Sequence, residues 1–362
     1  MKKIRPIAFV LPQFHPIPEN DTWWGKGFTE WTNVTKATPL FEGHYQPHLP
    51  TDLGFYDLRL PEARKAQAAL AKEYGIHGFC YYHYWFNGKR LLDQPIDGML
   101  KQKDLDMPFM LCWANENWTR RWDGRDNEIL IKQDYSNEDD ATHIRWLCEH
   151  VFSDKRYIRI NDKPVFVIYR HDLFPDIQKT VKIWRNIAIN EFGYKDLYLC
   201  TTESFHDRTD PKSIEFEASI EFSPHSVVSK KLKNKTTKNG LINRFIKKNK
   251  KNNTIKFRDF KLGVEHIINR DIPEYKLYRS VTPSWDNTAR KGENAIVALD
   301  SSPELYEYWL KNIVTSFKPF SKEENFVFIN GMNEWAEGNH LEPCIKYGRA
   351  YLEATQKALS NI

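Results

Sequence analysis

The chain has 362 residues, 41% hydrophobic and 14% aromatic, with a net charge of +5. That is enough length and apolar surface for one large domain or two ordinary ones, which excludes a disordered or fibrous architecture. Its five cysteines, Cys80, Cys112, Cys148, Cys200 and Cys344, are odd in number, far apart and without a CxxC pair, so neither a disulfide framework nor a zinc site is indicated.

The N-terminal apolar run stops at Pro12, short of the roughly 7 to 15 residues a signal peptide needs. No segment approaches the roughly 20 apolar residues of a spanning helix. A cytoplasmic chain is expected, associated with membrane at most through its surface.

Short β-branched or aromatic runs alternate with stretches of helical spacing. The runs occupy 6–14, 76–85, 108–117, 164–170, 197–204, 218–225, 277–287 and 326–335. Several are almost continuously apolar, as strands covered on both faces are. Helical patterns follow at 61–75, opened by Pro61 and closed by Gly75, and at 137–152, with acids in the first turn. Others are expected at 176–192, 303–317 and 346–360, whereas the fifth and sixth strands are followed by weak helical signals. Eight strands alternating with helices predict an α/β fold, a single-domain (β/α)8 TIM barrel spanning 1–362. The alternative, an open doubly wound sheet, lacks a Gly-rich phosphate loop after any strand.

Polar and aromatic residues collect at the C-terminal ends of these runs, and in a barrel those ends converge on one face, where active sites are built. Between Lys230 and Lys261 thirteen Lys or Arg face one acid, Asp259. This local +12 leaves the remaining chain at −7. The segment 230–261 reads as a basic, low-complexity insertion after strand 6, either a solvated loop or a contact for an anionic glycan or for membrane headgroups. Nucleic acid is disfavoured, because the basic residues are not interleaved with aromatic stacking platforms.

The last run ends in "INGMNEWAEGNHLEP" (329–343), with Glu334 and Glu337 three apart, Trp335 between them, and Gly331 and Gly338 on either side. Two neighbouring carboxylates are the minimum equipment for cleaving or forming an acetal: one holds a proton for the departing oxygen and the other is an anion near the sugar. In one helical turn such side chains lie on one face, roughly 5 to 6 Å apart at Cβ. The pair is therefore expected at the floor of an open groove, about 5 to 9 Å apart, with Trp335 turned aside into packing. Sugar contacts are expected from Gln13, His15, Tyr45, His83, Trp113, Asn115, Glu116, Trp285 and Asn333. Trp113 and Trp285 would stack on pyranose faces, and Glu116 is a competing partner for either glutamate. No HExxH string exists and the histidines lie mostly on different elements, so no catalytic metal or cofactor is expected. A GxSxG elbow is absent, and the one DxD-like string, residues 104–106, precedes a strand.

The stretches "LPQFHPIPENDTWWGKGFTEWTNV", "HYQPHLPTDLGFYD", "YGIHGFCYYHYWFNG", "LCWANENWTRRWDG" and "NGMNEWAEGNHLEP" together resemble the glycoside hydrolase family 99-like proteins known as WbsX. These are found among bacterial surface-polysaccharide (O-antigen, capsule, lipopolysaccharide) biosynthesis proteins. The likeness runs over roughly residues 5–355, apart from the basic insertion. It implies a (β/α)8 barrel and a retaining glycoside hydrolase, endo-acting on α-mannosides in family 99 proper, with an oligosaccharide or polysaccharide as substrate. By that resemblance Glu334 assists the sugar 2-hydroxyl in forming a 1,2-anhydro intermediate and Glu337 is the general acid/base. In an ordinary glycosyl-enzyme route Glu334 would attack carbon directly. A transferase or transglycosylase acting on a lipid-linked glycan is the alternative, and a non-catalytic glycan-binding barrel is a third.

Overall fold

Parallel strands buried on both faces organise the molecule, and each arises from one of the apolar runs. The computed structural model describes residues 4–120, 125–229 and 255–360. Strand β1 spans Arg5–Val10, β2 Gly78–Phe86, β3 Phe109–Trp113, β4 Lys163–Ile168, β5 Tyr198–Glu203 and β6 Ala218–Glu221. Strand β7 comes in two pieces, Leu277–Tyr278 and Ser280–Val281, and β8 spans Phe326–Ile329.

Each strand pairs in parallel with the next, and β8 pairs with β1. The first piece of β7 bonds to β6 and the second to β8. The ring is therefore passed on across the break at Arg279, whose guanidinium is tied to Glu221 and to the Ile267 carbonyl. The result is a (β/α)8 barrel.

Inside the ring, Phe9 packs against Tyr82, Phe222 and Phe328 with centroids 5.5 to 6.0 Å apart. This aromatic plug closes the barrel below its C-terminal mouth. Apolar side chains of that size contribute roughly 1.5 to 3 kcal/mol each on full burial.

Helices cover the outside. Pro61–Glu73 starts on its proline and buries Gln67, Ala68, Leu70 and Ala71. Asn137–Trp146 is capped by the Ser136 hydroxyl accepting from the Asp139 N–H, and it runs on into a π turn, Leu147–Val151. Ile177–Asn190 and Pro303–Ser316 are capped by Asp176 and Ser302, and Ala350–Leu359 closes the described chain. Where the helical signal was weak, the cover is thin: β5 is followed by a 3-10 turn, Pro211–Ile214, and β6 by Ser223–Val227 and Phe260–Ile268.

The expected insertion 230–261 is shortened at its end. Residues 230–254 lie outside the described residues, but Lys256–Asp259 is a strand paired in parallel with Ile296–Leu299, and Phe260 is buried. The expected strand 277–287 stops at Val281, because from Thr282 onward the chain bonds to the loop after β8. All five cysteines are buried and unpaired. No helix among the described residues is long and apolar enough to cross a membrane.

Candidate active site

Beyond β8 the chain forms a small hairpin. Asn333–Glu334 pairs antiparallel with Asn339–His340, and a 3-10 turn, Trp335–Glu337, joins them. Glu334 caps this turn and Glu337 ends it, and both side chains reach the same guanidinium. Gly338 ends the turn at φ +57°, and a Cβ there would come within 3.0 Å of the Asp286 Cβ and 3.1 Å of its carbonyl oxygen. Trp335 turns away from the pair, stacks on His340 at 3.8 Å and donates to Glu342 at 2.7 Å.

The two glutamates converge on a residue from another element. Arg290, in the short helix Thr288–Lys291, donates from Nη1 to Glu337 Oε1 at 2.6 Å and from Nη2 to Glu334 Oε2 at 2.9 Å. Two such contacts across one planar fork hold the oxygens within about 8 Å of each other. The same Nη2 reaches Glu30 Oε1 at 2.8 Å, and that oxygen also accepts the Ala336 N–H at 2.9 Å. Glu30, from the helix Glu30–Lys36, thus ties the guanidinium to the backbone of the glutamate turn. The Asp286 N–H completes the anchoring by donating to the Glu337 carbonyl at 2.7 Å.

One cation serves three carboxylates here. Glu334 is pushed up to about 8, chiefly by burial, with Arg290 opposing and Glu337 and Glu30 adding to the rise. Glu30, fully enclosed, is also raised, by burial first. For Arg290 burial disfavours the charge, but the three carboxylates outweigh it and its pKa rises. A proton held on Glu334 at neutral pH relieves the excess negative charge.

The glutamates open into a cavity of about 730 Å³ at the C-terminal ends of the strands. Of the residues expected to touch sugar, Gln13, Glu116 and Trp285 line it; Glu116 is paired with Arg170 at 3.0 Å rather than with Arg290. The others are corrected. On β2 the lining residues are Tyr82, Tyr84 and Phe86, and His83 lies buried behind them with Nε2 2.9 Å from His143 Nε2. On β3 the chain beyond the strand presents Ala114 and Glu116, while Trp113 donates to the Trp85 carbonyl and Asn115 clamps the backbone of Arg170. Side chains alternate across a strand, so the expected residues carry the opposite parity to the lining ones. Asn333 clamps the backbone of Leu11, His15 is fully buried off the cavity, and Tyr45 lies under Lys346 Nζ.

Arg290 and Glu30 were missed, and no local pattern marks them. Tyr82, Tyr84 and Phe86 were marked by their period of two in "YYHYWF". Away from the cavity floor, His171, Asp172 and Asp207 place ligand atoms within 4.8 Å of one another. However, both oxygens of Asp172 already accept from Arg170, and Asp207 is engaged by His171 and Thr209. The group is an ion-pair cluster.

The barrel is of the type seen in glycoside hydrolase family 99. It is similar to the GH99 endo-alpha-mannosidase from Bacteroides thetaiotaomicron with TM-score 0.60 and 13% identity, covering 100% of this chain and 98% of that one. It is equally similar to a protein described as glycoside hydrolase-like, with TM-score 0.60 and 13% identity over 99% and 94% of the two chains. Residues 6–355 match the family described as Glycosyltransferase WbsX, and the chain belongs to that family. It is also 42% identical over 355 residues to the uncharacterized protein WxcX of Xanthomonas campestris pv. campestris, across 98% of this chain and 49% of WxcX. The chain spans about half the length of the curated relatives it matches.

Proposed function

We propose that this chain is a retaining glycosidase-type enzyme that acts on a bacterial surface polysaccharide or its precursor through Glu334 and Glu337. The observation that carries the reading is the convergence of both glutamates on one guanidinium, at the floor of an aromatic-lined cavity where a (β/α)8 barrel builds its active sites. The aromatic lining, Tyr82, Tyr84, Phe86, Trp118 and Trp285, suits the flat faces of sugar rings.

In the reaction, Glu334 acts in its ionised form, reached as pH rises toward about 8, and its carboxylate takes the proton of the sugar 2-hydroxyl as O2 bonds to the anomeric carbon. The glycosidic bond breaks, and Glu337 protonates the leaving oxygen. Glu337 then removes a proton from the incoming water as that oxygen attacks the anomeric carbon, and Glu334 returns its proton to O2 as the 1,2-anhydro ring opens. In the direct alternative the Glu334 carboxylate itself bonds to the anomeric carbon. A sugar hydroxyl in place of water makes the same machinery a transglycosylase, the second reading, which the description of the family as a glycosyltransferase favours.

Glu337→Gln is expected to lower activity on unactivated glycosides by several orders of magnitude while the protein still folds, since it removes the proton donor and leaves Arg290 paired with Glu30 and Glu334. Full activity in that variant would refute the acid assignment. Mass analysis of the polysaccharide after incubation separates the readings: shortened chains alone support hydrolysis, shortened and lengthened chains together without nucleotide sugar support transglycosylation, and lengthening only with nucleotide sugar supports a nucleotide-sugar transferase instead.

A further inference from the structure

Arg258 has a side chain the glycosidase reading leaves unexplained. It lines the cavity yet is only 1% exposed. Its guanidinium donates from Nε to the Val228 carbonyl at 3.0 Å and from Nη1 to the Phe257 carbonyl at 2.8 Å, and among the described residues it is in no ion pair with a carboxylate. Burial lowers its pKa. Buried charges are normally paired, because carbonyl dipoles do not replace a counter-ion.

The acids that line the same cavity are engaged elsewhere: Glu116 with Arg170, Glu334 and Glu337 with Arg290.

Lys256 stands two residues before Arg258 on the strand Lys256–Asp259, so the two side chains leave the same face. Both line the cavity, while Phe257 between them packs edge-on against Phe41 at 5.0 Å. Lys256 is exposed and makes no ion pair among the described residues.

This strand is fixed relative to the glutamates. Lys256 pairs with Ile296, the Ile296 N–H donates to Asn287 Oδ1 at 2.8 Å, and the Asn287 carbonyl accepts from the N–H of Arg290 at 3.1 Å. The cationic wall and the residue that holds the glutamate pair therefore belong to one hydrogen-bonded unit.

We propose that Arg258 and Lys256 form a subsite for a negatively charged substituent on the glycan, a carboxylate or a phosphate, next to the bond cut by the glutamate pair. The inference rests on the glycosidase reading for the identity of the ligand and on the two cations for its charge. Arg258 supplies a planar, desolvated fork and Lys256 a mobile point charge at the rim, a combination suited to an oxyanion in either form. A glycan carrying a uronic acid and one carrying a phosphodiester or a lipid-linked pyrophosphate share this chemistry.

Binding of inorganic phosphate, glucuronate and glucose to the Glu337→Gln protein is followed by quenching of tryptophan fluorescence and by calorimetry. Phosphate or glucuronate should bind in preference to glucose, whichever is tighter naming the source of the charge, and Lys256→Met should weaken that binding about tenfold. Lys256 is exposed, so this variant tests the subsite without the folding risk of Arg258→Met. Failure of both anions to bind, or equal binding to the Glu337→Gln protein with and without Lys256→Met, overturns the subsite. Cleavage of neutral glycans without anion binding overturns the subsite alone. Anion binding with no cleavage of any glycan, charged or neutral, by the protein with Glu337 intact overturns the assignment of the anion to a glycan.

Discussion

Replacing Arg290 by Met tests whether one guanidinium holds the site together. Its side chain is 12% exposed, and its partners Glu30 and Glu334 are 0% and 8% exposed, so the charges it leaves behind have little water to turn to. Removing one member of a buried ion pair costs about 3 to 5 kcal/mol. With three partners stranded, the upper end is expected at neutral pH, and proton uptake by the carboxylates limits it.

The pH dependence has a definite sign. Glu334 in the fold titrates at about 8, above its ordinary value of 4.5, so its contribution to stability is intact below the unfolded value and is lost as pH rises through about 8. Without Arg290, the one opposing charge, the carboxyl rises further. Native and variant proteins then lose stability in parallel while both keep the proton, and diverge above pH 8. The gap widens there by up to about 1.4 kcal/mol per pH unit for each carboxyl that the variant still holds protonated. Urea unfolding followed by circular dichroism at pH 6 to 9 reads this directly. A gap below about 1 kcal/mol at pH 7, or one that narrows toward pH 9, would refute the three-carboxylate account. Arg290→Lys should fall between the two, because a single ammonium cannot present the fork.

Two further outcomes are expected. If the Glu334 carboxylate acts as base, activity should climb from pH 6 to 8 as it ionises, and a fall across that range in kcat/KM would make it the proton donor instead. Tyr84→Ala should raise KM several-fold with little change in melting temperature, whereas His83→Ala should lower the melting temperature and leave KM near native; a reversed pattern would contradict the assignment of faces on β2.

The pattern of strands was legible because each apolar run is covered on both faces and reads as such without its neighbours. The glutamate pair was legible for a related reason: Glu334 and Glu337 are close in sequence, so one turn brings them together whatever the rest of the chain does. The wall of the cavity was harder to read. His83, Trp113 and Asn115 have the chemistry of sugar ligands but the parity of the outer face, and Tyr82, Tyr84 and Glu116 have the parity that counts. The alternation in "YYHYWF" was in view; what it lacked was an independent sign of which face was inward, since both faces of a barrel strand are buried.

By itself, then, the chain of residues determined the eight-stranded barrel, the end of it that carries polar groups, and the acid pair after β8. These depend on periodicity and on contacts a few residues apart. Only the tertiary structure decided that Arg290 bridges the pair, that Glu30, 304 residues before Glu334 in the chain, shares its charge, and that Arg258 faces the cavity with two backbone carbonyls and, among the described residues, no carboxylate for partners. Those relations join the loops after β1, β6, β7 and β8, and closing the ring is what brings such distant segments within hydrogen-bonding reach.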